Sequence, residues 1–214
     1  MARRRIGRVC VITDTALQSR FDHVRLAELA CAGGADTIQL RDKTLDENTL
    51  LAVARDVGAV CRSFGALFIV NDHVRVALEA GADGVHVGRG DTPVAAARRV
   101  LEPAMLIGAT AHTREEATDA QRDGADYVGF GHIYATASKL RATPPVGLDA
   151  LTRVCGAVDV PVLAIGGITA ARAPEVLHSG AWGIAVIAEV CTAADPRAAT
   201  ENLRRAVDAS LRER

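Results

Sequence analysis

Aromatic side chains make up only 3% of these 214 residues, and no apolar run approaches the roughly 20 residues of a membrane span. A core built without many rings must be filled by Val, Ile, Leu and Ala, the usual packing of α/β proteins, and a membrane partner is not expected. An excess of one charge is missing too. With 25 basic and 26 acidic side chains the formal net charge is −1, so no global field gathers nucleic acid and any anion must be held by a local cluster. The five cysteines, Cys10, Cys31, Cys61, Cys155 and Cys191, are odd in number and lack any C-x-x-C spacing, which argues against a disulfide framework or a zinc site and for a reduced, cytoplasmic compartment. Arg3-Arg4-Arg5 is basic like the start of a signal peptide, but the apolar run at 9–12 is far too short for its hydrophobic core. The partners that remain are small molecules, with homo-oligomerisation left open.

What is abundant is alternation. Strand-like runs at 8–13, 37–41, 67–71, 84–87, 105–110, 127–133, 160–165 and 183–188 are separated by Ala-, Leu-, Arg- and Glu-rich stretches of helical spacing, such as 47–62, 114–122 and 197–211. About eight such units predict one α/β domain over residues 1–214, a single (β/α)8 TIM barrel. A doubly wound open sheet would also alternate, but G-x-G-x-x-G is absent after the first run, where Ile12 leads into Thr13-Asp14-Thr15. Gly34-Ala35-Asp36, Gly81-Ala82-Asp83, Gly124-Ala125-Asp126 and Gly180-Ala181-Trp182 fall where helices end and strands begin, and Gly there suits a left-handed C′ residue. These joints belong to the bottom of a barrel and to stability.

The other ends of the strands carry the chemistry. In Thr37 to Lys43, alternation sets Ile38 and Leu40 on one side and Gln39, Arg41 and Lys43 on the other, toward the barrel axis. Arg41 offers a planar fork and Lys43 a point charge, a pair suited to a diphosphate. Asp72 and Asp91 close the third and fourth strands, where they could share a Mg²⁺ ion or cap the helices that follow. Gly166-Gly167 and Ile187-Ala188 fall after strands seven and eight, a common phosphate cradle in barrels. Thr136-Ala137-Ser138-Lys139 adds hydroxyls and a cation in a loop, 135–145, long enough to fold over a ligand. His132 closes the sixth strand, either as a proton-transfer group or a polar lining residue. His86, mid-strand, reads as a hydrogen-bonded core histidine, and His112 as a loop or capping residue.

Taken together, QLRDK at 39–43, VND at 70–72, the Asp91 loop, GATAHT at 108–113, TASK at 136–139 and IGGI at 165–168 make the chain resemble the thiamine phosphate synthase family and its sister branch of thiazole tautomerases. The resemblance implies Mg²⁺-assisted coupling of a hydroxymethylpyrimidine diphosphate to a thiazole phosphate, giving thiamine phosphate and pyrophosphate. It implies that Gln39, Leu40, Arg41, Asp42, Lys43, Asn71, Thr110 and Lys139 bind the pyrimidine diphosphate. Thr136, Ala137, Ser138, Gly167, Ile187 and Ala188 would bind the thiazole phosphate, Asp72 and Asp91 the metal, and Arg41, Lys43 and Lys139 would stabilise the leaving charge. The chain departs from the synthase pattern at Gly131-His132, where the tautomerase branch places a proton-shuttling histidine, and at Thr110, Arg89, Ala188 and Glu189. Three readings follow: the synthase, a tautomerase using His132, and a non-catalytic phosphate-binding barrel.

Overall fold

A computed structural model describes residues 5–136 and 144–212. Eight parallel strands, β1 (Val9–Thr13), β2 (Thr37–Leu40), β3 (Leu67–Asn71), β4 (Gly84–Val87), β5 (Leu106–Ala111), β6 (Tyr127–Gly131), β7 (Val162–Ile165) and β8 (Gly183–Val186), pair in chain order, and β8 returns to β1 to close the ring. Around it lie α1 (His23–Ala32), α2 (Glu47–Phe64), α3 (Val74–Glu79), α4 (Val94–Val100), α5 (Arg114–Arg122), α6 (Gly147–Cys155), α7 (Ala173–His178), the short α8 (Ala188–Cys191) and α9 (Pro196–Arg212). The closed ring settles the choice between barrel and open sheet. The alternation stands, with shorter strands at several ends: β6 stops at Gly131 and β7 begins only after Pro161, whose ring nitrogen has no hydrogen to give to a ladder. None of the five cysteines is in a disulfide. No helix among the described residues is long and apolar enough to cross a membrane.

Two apolar layers follow from the period of two along each strand. Val9, Val11, Ile38, Leu40, Phe68 and Val70 pack outward against the helices, while Cys10, Ile12, Leu67, Ile69, Leu106, Tyr127 and Leu163 fill the barrel interior. Thr37 and Gln39 are buried on the inward register of β2, as alternation predicts. The repeated joints have a shared function at the bottom of the barrel. Gly34, Gly81, Gly124 and Gly180 all take positive φ, between 65° and 101°. The aspartates that follow then accept backbone hydrogens at the start of the preceding strand: Asp36 from Arg8 and Val9, Asp83 from Phe68, and Asp126 from Ile107, at 2.8–3.0 Å. Each carboxylate satisfies an amide that the ladder leaves open. In the fourth joint Trp182 replaces the aspartate and its indole donates to the Ile6 carbonyl at 2.9 Å.

Candidate active site

The carboxyl ends of the strands meet in three adjoining compartments. The innermost, about 50 Å³, is lined by Gln39, Arg41, Asn71, His86, Thr110, His112 and Tyr127 over a floor of aliphatic side chains. Gly108 makes room for it, since a Cβ there would stand 2.1 Å from the Tyr127 ring and 2.5 Å from His86 Nδ1. His86 bridges the Tyr127 hydroxyl at 3.1 Å and the Thr110 hydroxyl at 2.9 Å, so it is the hydrogen-bonded interior histidine expected, and it also fixes Thr110. Burial raises the Tyr127 hydroxyl well above its ordinary pKa, so that it stays protonated. Arg41 is salt-bridged to the buried Asp14 carboxylate, yet its Nε is buried without an acceptor among the described residues. A buried donor left open at a strand end, beside a cavity, fits an anionic ligand.

The second compartment, about 520 Å³, is lined by Asp42, Lys43, Leu45, Asp72, His73, Gly90, Asp91 and Thr92. Asp72 is the one described non-glycine residue with positive φ, 66°, a conformation that aspartate tolerates better than most side chains. Its carboxylate is salt-bridged to Lys43 and hydrogen-bonded to Asp91. Burial works against the Asp72 charge, but the Asp91 hydrogen bond and the Lys43 ammonium hold its carboxyl below the ordinary range. Asp91 is held above its ordinary range by Asp72 and by burial. Two carboxyls this close at the ends of neighbouring strands, each disfavouring the other's charge, are a donor set that fits a divalent cation, whose charge would offset their repulsion. Neither aspartate caps a helix: the N-cap positions are His73 and Pro93, and Asp91 instead accepts from the Gly88 amide at 2.9 Å. The capping alternative is thereby set aside. Asp42 braces the β2 loop, accepting from the His23 ring at 3.0 Å and from the Thr44 and Leu45 amides at 2.7 and 2.9 Å.

The third compartment, about 250 Å³, lies over β7 and β8 and is lined by His132, Thr136, Gly166, Gly167, Arg172, Ile187, Ala188 and Glu189, among others. It shares Ile165, Ala185 and Ile187 with the innermost chamber, so the two adjoin along these residues. Gly166 and Gly167 take φ of 101° and 64°, and a Cβ on Gly167 would lie 2.5 Å from the Ala135 carbonyl. Only glycine takes these angles and brings the backbone so near the β6 loop.

The fold thus gathers Gln39, Arg41, Lys43, Asn71, Asp72, Asp91, Thr110, His132, Thr136, Gly167, Ile187 and Ala188 at one mouth. Two candidates stand differently from the expectation. The Leu40 side chain is 1% exposed in the outer core, so only its backbone is near the site, and Asp42, though it lines the second compartment, has its oxygens taken up by its own loop and the His23 ring. Ala137, Ser138 and Lys139 lie outside the described residues. Arg89 pairs with Glu116 on the surface rather than with either aspartate. Sequence reasoning missed Asp14, His23, His112 and Arg172. Asp14 was within reach of the strand-end rule, standing directly after β1. His112, expected in a loop or cap, lines the inner chamber and hydrogen-bonds the Gly131 carbonyl.

A family model described as thiamine monophosphate synthase matches residues 9–190. A thiamine-phosphate synthase of Methanocella arvoryzae is 50% identical over 194 residues, covering 91% of this chain and 92% of the relative. One from Salinibacter ruber is 46% identical over 212 residues, 99% of this chain and 93% of the relative. Among solved structures, a thiamine phosphate pyrophosphorylase from Pyrococcus furiosus superposes with a TM-score of 0.87 at 39% identity, covering 95% of this chain and 96% of that one.

Proposed function

This chain belongs to the thiamine monophosphate synthase family, and from that premise we propose that it is a transferase joining a hydroxymethylpyrimidine diphosphate to a thiazole phosphate, or its carboxylate. The products are thiamine phosphate and pyrophosphate, with carbon dioxide released as well when the carboxylate is the substrate. The observation that carries the reading is the shared lining: an inner chamber with an open arginine donor adjoins a Gly-Gly cleft along Ile165, Ala185 and Ile187, so two ligands can face each other.

In this reading the pyrimidine diphosphate takes the inner chamber and its outer rim. Gln39, Asn71 and Thr110 offer polar contacts to the pyrimidine side, with Thr110 oriented by His86. Arg41 and Lys43 receive the diphosphate, Lys43 exchanging its hold on Asp72 for phosphate oxygens, and Lys139 is assigned with them. Asp72 and Asp91 would hold Mg²⁺, which when bound supplies charge neutralisation to the pyrophosphate oxygens. The C–O bond to pyrophosphate breaks with its electron pair leaving on oxygen, and the ring-stabilised cation accepts the lone pair of the thiazole nitrogen. No proton moves in forming that C–N bond, so the site needs cations and positioning more than a base. The thiazole phosphate rests on Gly167, Ile187 and Ala188, with Thr136, Ala137 and Ser138 assigned to its edge. The protein acts in this proposal as a single-domain cytoplasmic enzyme on small molecules.

A second reading has one observation in its favour. His132, 7% exposed, lines the Gly-Gly cleft, where it could shuttle a proton on a thiazole carboxylate phosphate as a tautomerase does. The test is a coupled assay on purified protein with and without Mg²⁺, following pyrophosphate and thiamine phosphate together. Mg²⁺-dependent formation of both, in equal amounts, is the expected result. Proton exchange on the thiazole carboxylate phosphate without coupling would favour the tautomerase, and binding with neither reaction would leave a phosphate-binding barrel.

A further inference from the structure

The Gly-Gly cleft holds one side-chain cation and one carboxylate among its described lining residues, Arg172 and Glu189. A carboxylate beside a phosphate is repulsive, and the backbone amides of a cradle carry only partial charge. Glu189 is tied by one oxygen to the Ala170 amide at 3.4 Å, so it is part of the cleft's frame. Its neighbour in the lining is arranged as a receptor. Arg172 stands in the turn before α7, and its Nη1 donates to the Gly167 carbonyl at 2.6 Å, fastening the guanidinium to the cradle itself. Its Cζ lies over the Tyr134 ring, 4.5 Å from the centroid. Tyr134 is held in turn by a hydrogen bond from its hydroxyl to Glu175 at 2.5 Å. Among the described residues Nε and Nη2 of Arg172 have no protein acceptor, while the group lines the cleft. A planar cation set over a ring, clamped at one nitrogen and open at two, is pre-organised for an oxyanion.

We propose that Arg172 is a specificity-determining residue for the phosphate of the thiazole substrate, supplying the charge that lets a dianion bind beside Glu189. The assignment rests on the synthase reading for the identity of that substrate, but not for the presence of an anion. Replacing a charge-assisted contact by nothing costs on the order of tenfold in affinity or more.

The experiment has one arm that needs turnover and one that does not. In the first, KM for the thiazole phosphate is measured in the wild type, Arg172→Lys and Arg172→Ala at saturating pyrimidine diphosphate, with the dephosphorylated thiazole alcohol as control. The expected result is a rise of about tenfold in Arg172→Ala, a smaller rise in Arg172→Lys, and no change for the alcohol or for KM of the pyrimidine diphosphate. In the second, inorganic phosphate is titrated into the unliganded proteins by NMR, and binding weakens by a similar factor in Arg172→Ala. A wild type that makes no thiamine phosphate yet loses phosphate binding on Arg172→Ala would overturn the synthase reading and keep this one. Active enzyme whose KM for thiazole phosphate is untouched by Arg172→Ala, or rises equally for phosphate and alcohol, would overturn the role given to Arg172.

Discussion

Asp72 concentrates more of the site in one residue than any other. It sits at positive φ, pairs with Lys43 and stands beside Asp91, whose carboxyl it holds above the ordinary range. Asp72→Ala removes half of the carboxylate pair and the partner that aims Lys43, so kcat for coupling is expected to fall by about a hundredfold or more, the scale of losing a preorganised electrostatic group. His132→Ala is expected to cost far less, and steady-state coupling assays on the two variants decide the matter: the tautomerase reading demands the reverse order. At this scale the sequence was informative wherever a charged residue closed an apolar run. It was blind to partners that lie 27 residues away, as Asp14 does from Arg41, because a pairing across neighbouring strands leaves no local pattern.

Elements succeed here through their loops. The turn after β2 is built on Asp42, which gathers the His23 ring from α1 together with the Thr44 and Leu45 amides. Burial would raise the Asp42 carboxyl, but the His23 hydrogen bond and those from Thr44 and Leu45 outweigh it and hold the carboxyl well below its ordinary value of 3.8. The sign follows from linkage: a carboxyl depressed in the folded state adds stability that is fully present above its unfolded pKa and is lost as pH falls through the folded one. The stability gap between wild type and Asp42→Ala, measured by urea unfolding, is therefore expected to be constant from neutral pH down to about 5 and to shrink below about 4. A gap independent of pH would remove the charge from the account. The eight strands, the Gly-Ala-Asp joints and the inward face of β2 were all legible from periods of two and from glycine. Strand ends were less so: β6 gives way after Gly131 to a loop whose Ile133 and Tyr134 amides still bond the Ile165 and Gly166 carbonyls, and no local pattern marks that change. The His86 bridge between Tyr127 and Thr110 was half visible, since a buried histidine announces a partner without naming it.

The whole molecule is a ring, and its seam is the ladder between β8 and β1. Val9 pairs with Ile184 and Val11 with Val186, and the Ile184 amide donates to the Arg8 carbonyl at 2.8 Å. Gly183 permits that approach, for a Cβ there would stand 2.4 Å from the Arg8 carbonyl oxygen and 2.6 Å from its Cα. Both are backbone atoms and cannot yield as a side chain does. Gly183→Ala is expected to destabilise the barrel by about 1–3 kcal/mol, lowering the midpoint of thermal unfolding by several degrees. Circular dichroism melts measure it, and an unchanged midpoint would mean that the seam can open enough to take a methyl group. The same closure sets a schedule for synthesis. On the ribosome β1 emerges first and finds β2 soon after, but its other edge faces solvent until β8 has been made, nearly the whole chain later. A strand that has no free edge in the finished protein spends its translation as an adhesive one, so a nascent chain halted before residue 183 should depend on chaperone protection that the released protein no longer needs.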